Sequence, residues 1–174
     1  MAKYSDIKGF TVQTVTSDPA ASQAATGSWA SGGDLNTARR SLSGAGTQTA
    51  NVVFGGYESG NSAKTELYDG SSWTEVNDLN SARFGLRGIG TSTAAFGVGG
   101  ANPVPSLGDK VESWNGSSWT ETTEINTARR QFAGVSNQGT TTAGIVAGGY
   151  TTTNLANTES WNGSAWTEVN DLNT

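Results

Sequence analysis

Short apolar runs bounded by glycine recur along the chain. They occupy residues 52–54, 96–98 and 145–147, and each is followed at once by a Gly-Gly pair. Apolar runs of this length, flanked by glycine, favour strands buried on both faces over helices. The repeats show no helical periodicity. The pattern therefore predicts an all-β protein built from short strands.

Four tryptophans mark a tandem repeat. Trp29, Trp73, Trp119 and Trp166 recur at spacings of 44, 46 and 47 residues. Each stands six residues before Leu-Asn-Thr or a close variant of that tripeptide. One repeat of this length cannot bury its own apolar face and must stack against its neighbours. Residues present in every repeat are therefore expected to build the scaffold.

Each repeat resolves into four short strands. Arg39, Arg83 and Arg129 precede the Gly-Gly pairs by 16, 16 and 19 residues, and the apolar strand ends at those pairs. A Glu-x-aromatic-Asp/Asn-Gly segment then predicts a hairpin leading to the tryptophan strand. Asp-Gly and Asn-Gly supply the positive φ that such tight turns need.

The fourth strand is expected to precede the arginine, after a turn that contains one glycine in each repeat, at Gly44, Gly88 and Gly134. The apolar residue three places after each arginine would supply its core contact. These residues are Leu42, Leu86 and Phe132.

The order of arginine, apolar strand, Gly-Gly, Glu-x-aromatic-Asp/Asn and tryptophan resembles the kelch repeat. The resemblance covers residues 28–174, with repeat boundaries near 36–80, 80–126 and 126–173. It implies kelch-type β-propeller blades, as three full four-stranded repeats plus a lone N-terminal tryptophan strand at residues 27–35. The repeat is slightly shorter than the ~50 residues usual for kelch, and asparagine replaces the proline often seen before the arginine.

Three repeats do not make a ring by themselves, because propellers typically close with about 4–8 blades. Either copies of the chain associate or further sequence completes the ring. A homodimer, the favoured partner prediction, would give six blades. The lone N-terminal strand of one copy could then lie beside the open end of the other and cover strand edges that otherwise invite aggregation.

Composition removes several classes of function. The formal net charge is −5 and the 10 basic residues are scattered, which argues against a nucleic-acid partner. The chain contains no cysteine and no histidine, which excludes disulfides, thiol catalysis and histidine-based metal sites or triads. The copper oxidase activity found among kelch-like propellers needs both residue types and is excluded with them. We expect no cofactor and no metal site.

The acidic residues repeat with the scaffold. Glu66, Glu112 and Glu159 share one position of the repeat, and Glu75, Glu121 and Glu168 share another. Glycoside hydrolysis needs two carboxylates in unequal environments, whereas identical positions indicate structural partners for the repeated arginines. The interpretation is that the protein is not an enzyme. A carbohydrate-active enzyme is the least favoured alternative.

Residues 1–27 do not belong to the repeat. Their apolar positions include Ile7, Phe10, Val12 and Val15, and residues 10–15 suggest one extended strand. The segment lacks the apolar stretch of a signal peptide, and no segment is apolar enough to span a membrane. We therefore expect cytoplasmic synthesis and no membrane insertion.

An arm of this kind ahead of kelch-like repeats resembles the short structural proteins of marine tailed bacteriophages. That resemblance implies that residues 1–27 attach the protein to other virion proteins while the repeats face outward. The alternative for the arm is a loosely packed tail, since chain termini are often poorly ordered.

The segment after each Gly-Gly pair varies in length and sequence, as binding loops on a rigid scaffold do. These loops span residues 57–64, 101–110 and 150–158, and Tyr57 and Tyr150 are the candidate aromatic contacts. The polar candidates are Glu58, Asn61, Asn102, Asp109 and Asn154. Such groups suit a surface glycan or a protein receptor. The basic residues Arg40 and Arg130 are interpreted as a solvated face.

Together these features predict a non-catalytic structural or adhesion module, and the phage resemblance implies a virion or tail component that serves in host recognition. The alternative is an intracellular kelch-type protein-interaction propeller in the cytoplasm. Particle association through residues 1–27 distinguishes the first reading. A stable soluble protein partner distinguishes the second.

Overall fold

The computed structural model describes residues 31–101, 108–136, 139 and 141–173. Within these residues the protein is all-β and contains no α-helix, as predicted. Most of them belong to one compact unit that begins at Gly32. The predicted arm, with Ile7, Phe10, Val12 and Val15, lies outside the described residues, as do residues 27–30 of the predicted lone strand. Residues 31–35 of that predicted strand are described and do not form a strand.

Twelve described strands form three four-stranded antiparallel sheets, each in simple chain order. Sheet 1 contains β1 (Ser43–Gly46), β2 (Asn51–Phe54), β3 (Thr65–Tyr68) and β4 (Trp73–Val76). Sheet 2 contains β5 (Arg87–Gly90), β6 (Ala95–Val98), β7 (Val111–Trp114) and β8 (Trp119–Thr122). Sheet 3 contains β9 (Ala133–Ser136), β10 (Gly144–Ala147), β11 (Thr158–Trp161) and β12 (Trp166–Val169).

The hairpin between the third and fourth strands is closed by an Asp or Asn side chain. In sheet 1, Oδ1 of Asp69 accepts hydrogen bonds from the backbone N of Ser72 and of Ser71, both at 2.8 Å. These hydrogen bonds, together with one from the Ser71 hydroxyl, hold the pKa of Asp69 far below its ordinary value. Gly70 follows with φ of 98°. Asn115 and Asn162 make the same turns in sheets 2 and 3.

The glycines predicted in turns, Gly44, Gly88 and Gly134, lie instead inside the first strand of each sheet. That strand follows the repeated arginine, so its predicted place before the arginine is wrong. The reason is the close approach of β1 to β5 and of β5 to β9. A Cβ added at Gly88 would lie 2.4 Å from the carbonyl oxygen of Gly44. The backbone N of Gly88 donates to Oγ of Ser43 at 2.7 Å. Glycine is therefore needed here to let neighbouring sheets meet along their first strands.

The core lies between neighbouring sheets. Between sheets 1 and 2, the ring of Phe54 meets that of Trp119 edge-on, with centroids 4.6 Å apart. Between sheets 2 and 3, Phe96 meets Trp161 in the same way at 5.6 Å. Each sheet thus turns one face towards the next sheet in the chain, which we call its forward face, and the opposite face towards the preceding sheet, which we call its rear face.

The predicted core residues before each first strand have unequal burial. Leu86 and Phe132 are buried, whereas Leu42 is half-buried. Leu86 lies against Gly55 of sheet 1, and Phe132 lies against Gly99 of sheet 2. These two residues therefore link each sheet to the preceding one, while Leu42 has no described sheet before it.

The two junctions differ in their buried polar contacts. At the first junction, the indole Nε1 of Trp119 donates to Oγ1 of Thr65 at 3.0 Å. The corresponding pair at the second junction is Trp166 and Val111. Because valine has no acceptor, Nε1 of Trp166 is buried without a hydrogen-bond partner.

Candidate functional site

Glu66, Glu112 and Glu159 each lie at the centre of a group of buried hydrogen bonds, which we call a clamp. In sheet 2, Glu112 accepts hydrogen bonds from the backbone N of Asn80 at 2.7 Å, from its Nδ2 at 2.9 Å and from Nη2 of Arg83 at 2.9 Å. Nη1 of Arg83 also donates to the carbonyls of Gly99 and Lys110, at 2.7 and 2.8 Å. The paired side chains are 1% and 0% exposed. The clamp fastens the segment between β4 and β5 onto sheet 2.

The other two sheets carry the same clamp. Its members are Asn36, Arg39 and Glu66 in sheet 1, and Asn126, Arg129 and Glu159 in sheet 3. Burial alone would raise the pKa of Glu66, but hydrogen bonds from Asn36 and Arg39 outweigh burial and hold that pKa below its ordinary value. These acids are thus held as structural partners of arginine, which is an unsuitable environment for a free acid or base catalyst.

A different set of residues gathers where the first strand of each sheet begins. The residue after each clamp arginine forms an isolated antiparallel bridge with the residue after each Gly-Gly pair. The bridges are Arg40 with Tyr57, Phe84 with Ala101, and Arg130 with Tyr150. Because these bridges recur sheet by sheet, Tyr57 and Tyr150 are held at corresponding positions.

Two arginines and three aromatic rings lie in a row along this end of the sheets. The guanidinium carbon of Arg40 lies 4.8 Å from the ring centroid of Tyr57, and that ring meets Phe84 edge-on at 5.9 Å. Arg130 lies between two rings, 5.7 Å from Phe84 and 5.3 Å from Tyr150. We call Arg40, Tyr57, Phe84, Arg130 and Tyr150 the cation–aromatic row.

A recess of about 350 Å³ opens beside this row, lined by Arg40, Ser41, Tyr57, Phe84 and Gln131. Ser41 and Gln131 both adopt φ of 53°, a left-handed conformation that is uncommon for residues other than glycine. Gly85, at the same position in sheet 2, has φ of 65°. The left-handed conformation is therefore a shared feature of the three repeats.

The strained positions are held by hydrogen bonds between sheets. The backbone N of Gly85 donates to the carbonyl of Ser41 at 2.9 Å, and the N of Gln131 donates to the carbonyl of Gly85 at 2.8 Å. Backbone hydrogen bonds therefore connect the three sheets along the wall of the recess.

The charge beside the recess is positive. None of the five ion pairs among the described residues includes Arg40 or Arg130. Nε of Arg130 is buried and has no hydrogen-bond partner. Arginine donors that lack a protein carboxylate suit a carboxylate on a ligand, because the guanidinium fork matches that group.

The predicted polar residues are mostly engaged within their own loops. Glu58 accepts hydrogen bonds from the Ser62 hydroxyl at 2.9 Å and from Lys64 at 3.4 Å. The bond from Ser62 is the main cause of a lowered pKa for Glu58, and Lys64 adds to it. Nδ2 of Asn61 donates to the carbonyl of Ala101 at 3.2 Å. Glu58 and Asn61 thus help to shape the first loop.

Two predicted residues belong to the other loops. Asn154 forms a bridge with Tyr150, as Asn61 does with Tyr57. Asp109 is half-buried, and its carbonyl accepts a hydrogen bond from the backbone N of Ile125 at 3.0 Å. Asn102 lies outside the described residues.

Three members of the cation–aromatic row were not predicted as site residues. Arg40 and Arg130 are interpreted from the sequence as a solvated face, and Phe84, at the same position in the middle repeat, is not among the predicted site residues. Arg40 is exposed and Arg130 is half-buried, and both guanidinium groups lie on aromatic rings. The one sequence signal was the residue after each clamp arginine, which is basic or aromatic in all three repeats.

The part of the chain that the structure describes shows no group of three or more acidic, histidine or cysteine side chains able to hold a metal ion. It also contains no helix of the length and apolarity that crossing a membrane requires. No protein-family model matches this chain, and a search of curated proteins found no relative.

Proposed function

We propose that the three sheets are blades of a kelch-type β-propeller and that the protein is a non-catalytic binding module. The ring is completed by copies of the chain or by further sequence. The observation that carries the binding function is the cation–aromatic row beside its recess. The repeated acids support a non-catalytic role, because each described member at the clamp position is committed to an arginine.

The ligand class that suits the recess is a glycan with carboxylate groups. The apolar face of a sugar ring can pack on Tyr57 or Phe84, and polar groups at the rim can fix its orientation. Arg40 can pair with a carboxylate through two parallel hydrogen bonds. A protein receptor with an exposed acidic side chain is the second partner compatible with this chemistry.

The test is calorimetric titration of the full chain with trigalacturonate and with its methyl ester, which has the same rings without the charges. We expect the acid to bind more tightly than the ester. Arg40→Gln should weaken binding of the acid about tenfold or more, since a hydrogen bond to a charged group contributes about 1.5–3 kcal/mol. Tyr57→Ala should weaken binding of both ligands. Lys110→Gln, which removes the same charge from a surface ion pair, is the control.

If Arg40→Gln, Lys110→Gln and the unchanged chain bind the acid equally, the recess is not the binding site. Absence of binding to either ligand would overturn the glycan class.

We further propose that the module is a structural or adhesion component of a phage particle, attached through residues 1–27. This setting rests on the sequence resemblance of the arm and repeats. The test is incorporation of the full chain into particles, compared with a chain lacking residues 1–27. Equal incorporation of the two would contradict attachment through the arm. A stable soluble protein partner and no particle association would favour the intracellular interaction module.

A further inference from the structure

The forward face of sheet 3 exposes apolar side chains at positions that are buried in the other sheets. Val135, Ile145, Val169 and Leu172 are 62%, 39%, 39% and 51% exposed. The residues that correspond to Val135, Ile145 and Leu172 in sheets 1 and 2 are at most 6% exposed. They are Ala45, Val52, Leu79, Ile89, Phe96 and Ile125. In the described structure, sheet 3 therefore has a junction surface without a facing sheet.

A buried hydroxyl on the same face also lacks its partner. Oγ1 of Thr158 has no hydrogen-bond partner, although the residue is only 4% exposed. Thr158 corresponds to Thr65, whose hydroxyl accepts the indole Nε1 of Trp119 from the next sheet at 3.0 Å. Buried polar groups in native proteins nearly always find a partner. The unpaired hydroxyl thus indicates a missing indole from a following sheet.

The rear face of sheet 1 is the complementary surface. Tyr68 and Trp73 form a ring pair with centroids 4.8 Å apart and are both half-buried. The corresponding ring pairs in sheets 2 and 3 are buried against the preceding sheet. They are Trp114 with Trp119, and Trp161 with Trp166. Among the described residues, no sheet packs against the Tyr68–Trp73 pair, and the segment at Gly32 and Gly33 lies beside it.

We propose that the forward face of sheet 3 binds the rear face of sheet 1 from a second copy of this chain. This inference rests on the blade arrangement proposed above. In the described structure the indole N–H of Trp73 donates to the carbonyl of Gly33 at 3.0 Å. In the assembled junction, Trp73 of the second copy exchanges that acceptor for Oγ1 of Thr158, as Trp119 donates to Thr65. Tyr68 of the second copy packs on Ile145, as Trp161 packs on Phe96. Two such head-to-tail junctions close two copies into six sheets, a number within the range of about 4–8 that closes a propeller.

One segment must be displaced for this junction to form. The segments at residues 34–36 and 171–173 are both Asp-Leu-Asn and occupy the same position in the repeat. Only one of them can therefore lie at the proposed junction. Asn36 is already fixed to Glu66 by hydrogen bonds of 2.7 and 2.9 Å. Leu172 is 51% exposed. We therefore place Leu35 of the second copy on sheet 3 in place of Leu172.

The first experiment measures the mass of the full chain by light scattering during size exclusion. We expect twice the chain mass of 17.9 kDa. Val135→Glu should give a single-copy mass, because it puts a charge in the junction at a residue that is exposed in the single copy. Thr120→Glu, at an exposed residue of β8, should keep the two-copy mass. Leu35→Asp should dissociate the assembly, whereas Leu172→Asp should leave it intact.

A mixing experiment tests the head-to-tail arrangement. Tyr68→Lys blocks the rear face of sheet 1, and Val135→Glu blocks the forward face of sheet 3. Each variant alone should be single-copy, while an equimolar mixture should form a two-copy complex through the one unblocked junction. If Tyr68→Lys does not unfold cooperatively on heating, Asn51→Arg replaces it, since it puts a charge on the same face.

A single-copy mass for the unchanged chain at all concentrations would overturn the proposal. So would a two-copy mass that survives Val135→Glu, or a mixture that stays single-copy. Binding of trigalacturonate by the unchanged chain is measured in parallel. Binding with no assembly would refute this junction and leave the proposed function standing, and assembly without binding would do the reverse.

Discussion

The buried clamp in sheet 2 gives the sharpest stability prediction. Glu112→Gln removes the charge opposite Arg83 and keeps nearly the same side-chain shape. Glu112 accepts hydrogen bonds from Asn80 and Ser81 as well as from Arg83. In Glu112→Gln one carboxylate oxygen becomes an NH₂ group, which cannot accept the hydrogen bonds from the donors that face it. Breaking a buried ion pair by removing one partner costs about 3–5 kcal/mol, because the other charge stays buried.

The assay is equilibrium unfolding in urea, followed by circular dichroism, with thermal unfolding as a second measurement. A loss of about 3–5 kcal/mol is a large part of the roughly 5–15 kcal/mol that stabilises a typical domain. It corresponds to a midpoint lower by roughly 6–20 °C, at about 2–4 °C for each kcal/mol in a domain of this size. The control is Glu121→Gln, which breaks the exposed pair with Lys110. We expect it to leave the urea midpoint nearly unchanged, because an exposed ion pair contributes little to stability.

A paired substitution separates the charge from the packing. Arg83→Met with Glu112→Leu removes both charges, and it should cost less than Glu112→Gln because no buried charge is left without a partner. If Glu112→Gln lies within about 0.5 kcal/mol of the unchanged chain, in line with the exposed control, then the clamp does not stabilise the fold.

Three further predictions use differences between repeats. Asp69→Asn should lower the urea midpoint near neutral pH and have little effect in acid. The lowered pKa of Asp69 stabilises the fold above the unfolded pKa of about 3.9, and this contribution disappears as pH falls through the folded pKa. The urea midpoints of the two chains should therefore converge on acidification. Gly97→Val should destabilise by about 1–3 kcal/mol, because a Cβ there lies 3.1 Å from the ring of Phe54, whereas Gly60→Ala, with open space around it, should be neutral or stabilise by up to about 1 kcal/mol in the same assay. Ser41→Gly should be neutral or stabilise by up to about 1 kcal/mol, since it relieves a left-handed backbone, while Ser41→Val should lower the urea midpoint.

The strands could be predicted from sequence because their signals are local. The apolar run before each Gly-Gly pair lies within β2, β6 or β10. The Asp-Gly and Asn-Gly hairpins follow from turn chemistry that needs positive φ. Gly88 was misplaced because a glycine in a strand has the same local signature as a glycine in a turn. Its real cause is a neighbouring sheet, which contributes no signal near it in the chain.

The candidate site could be predicted only in part. Tyr57 and Tyr150 were found because they follow the Gly-Gly pairs. Arg40, Phe84 and Arg130 were missed because each looks like an unremarkable member of a repeat. Their significance comes from the stacking of one sheet on the next, which places a cation from one repeat on an aromatic ring of another.

The unequal junctions also bear on how the repeats could dock in the wrong order. Repeats of similar sequence risk docking out of turn, a characteristic failure of repeat proteins. Trp119 meets Thr65 at one junction, whereas Trp166 meets Val111 at the other and leaves its indole N–H unpaired. Docking of sheet 3 on sheet 1 would give the Trp166 indole the Thr65 acceptor that it lacks in the native order. The buried hydrogen bonds at the junctions therefore do not enforce the order of the sheets, which the chain connections between consecutive sheets favour instead.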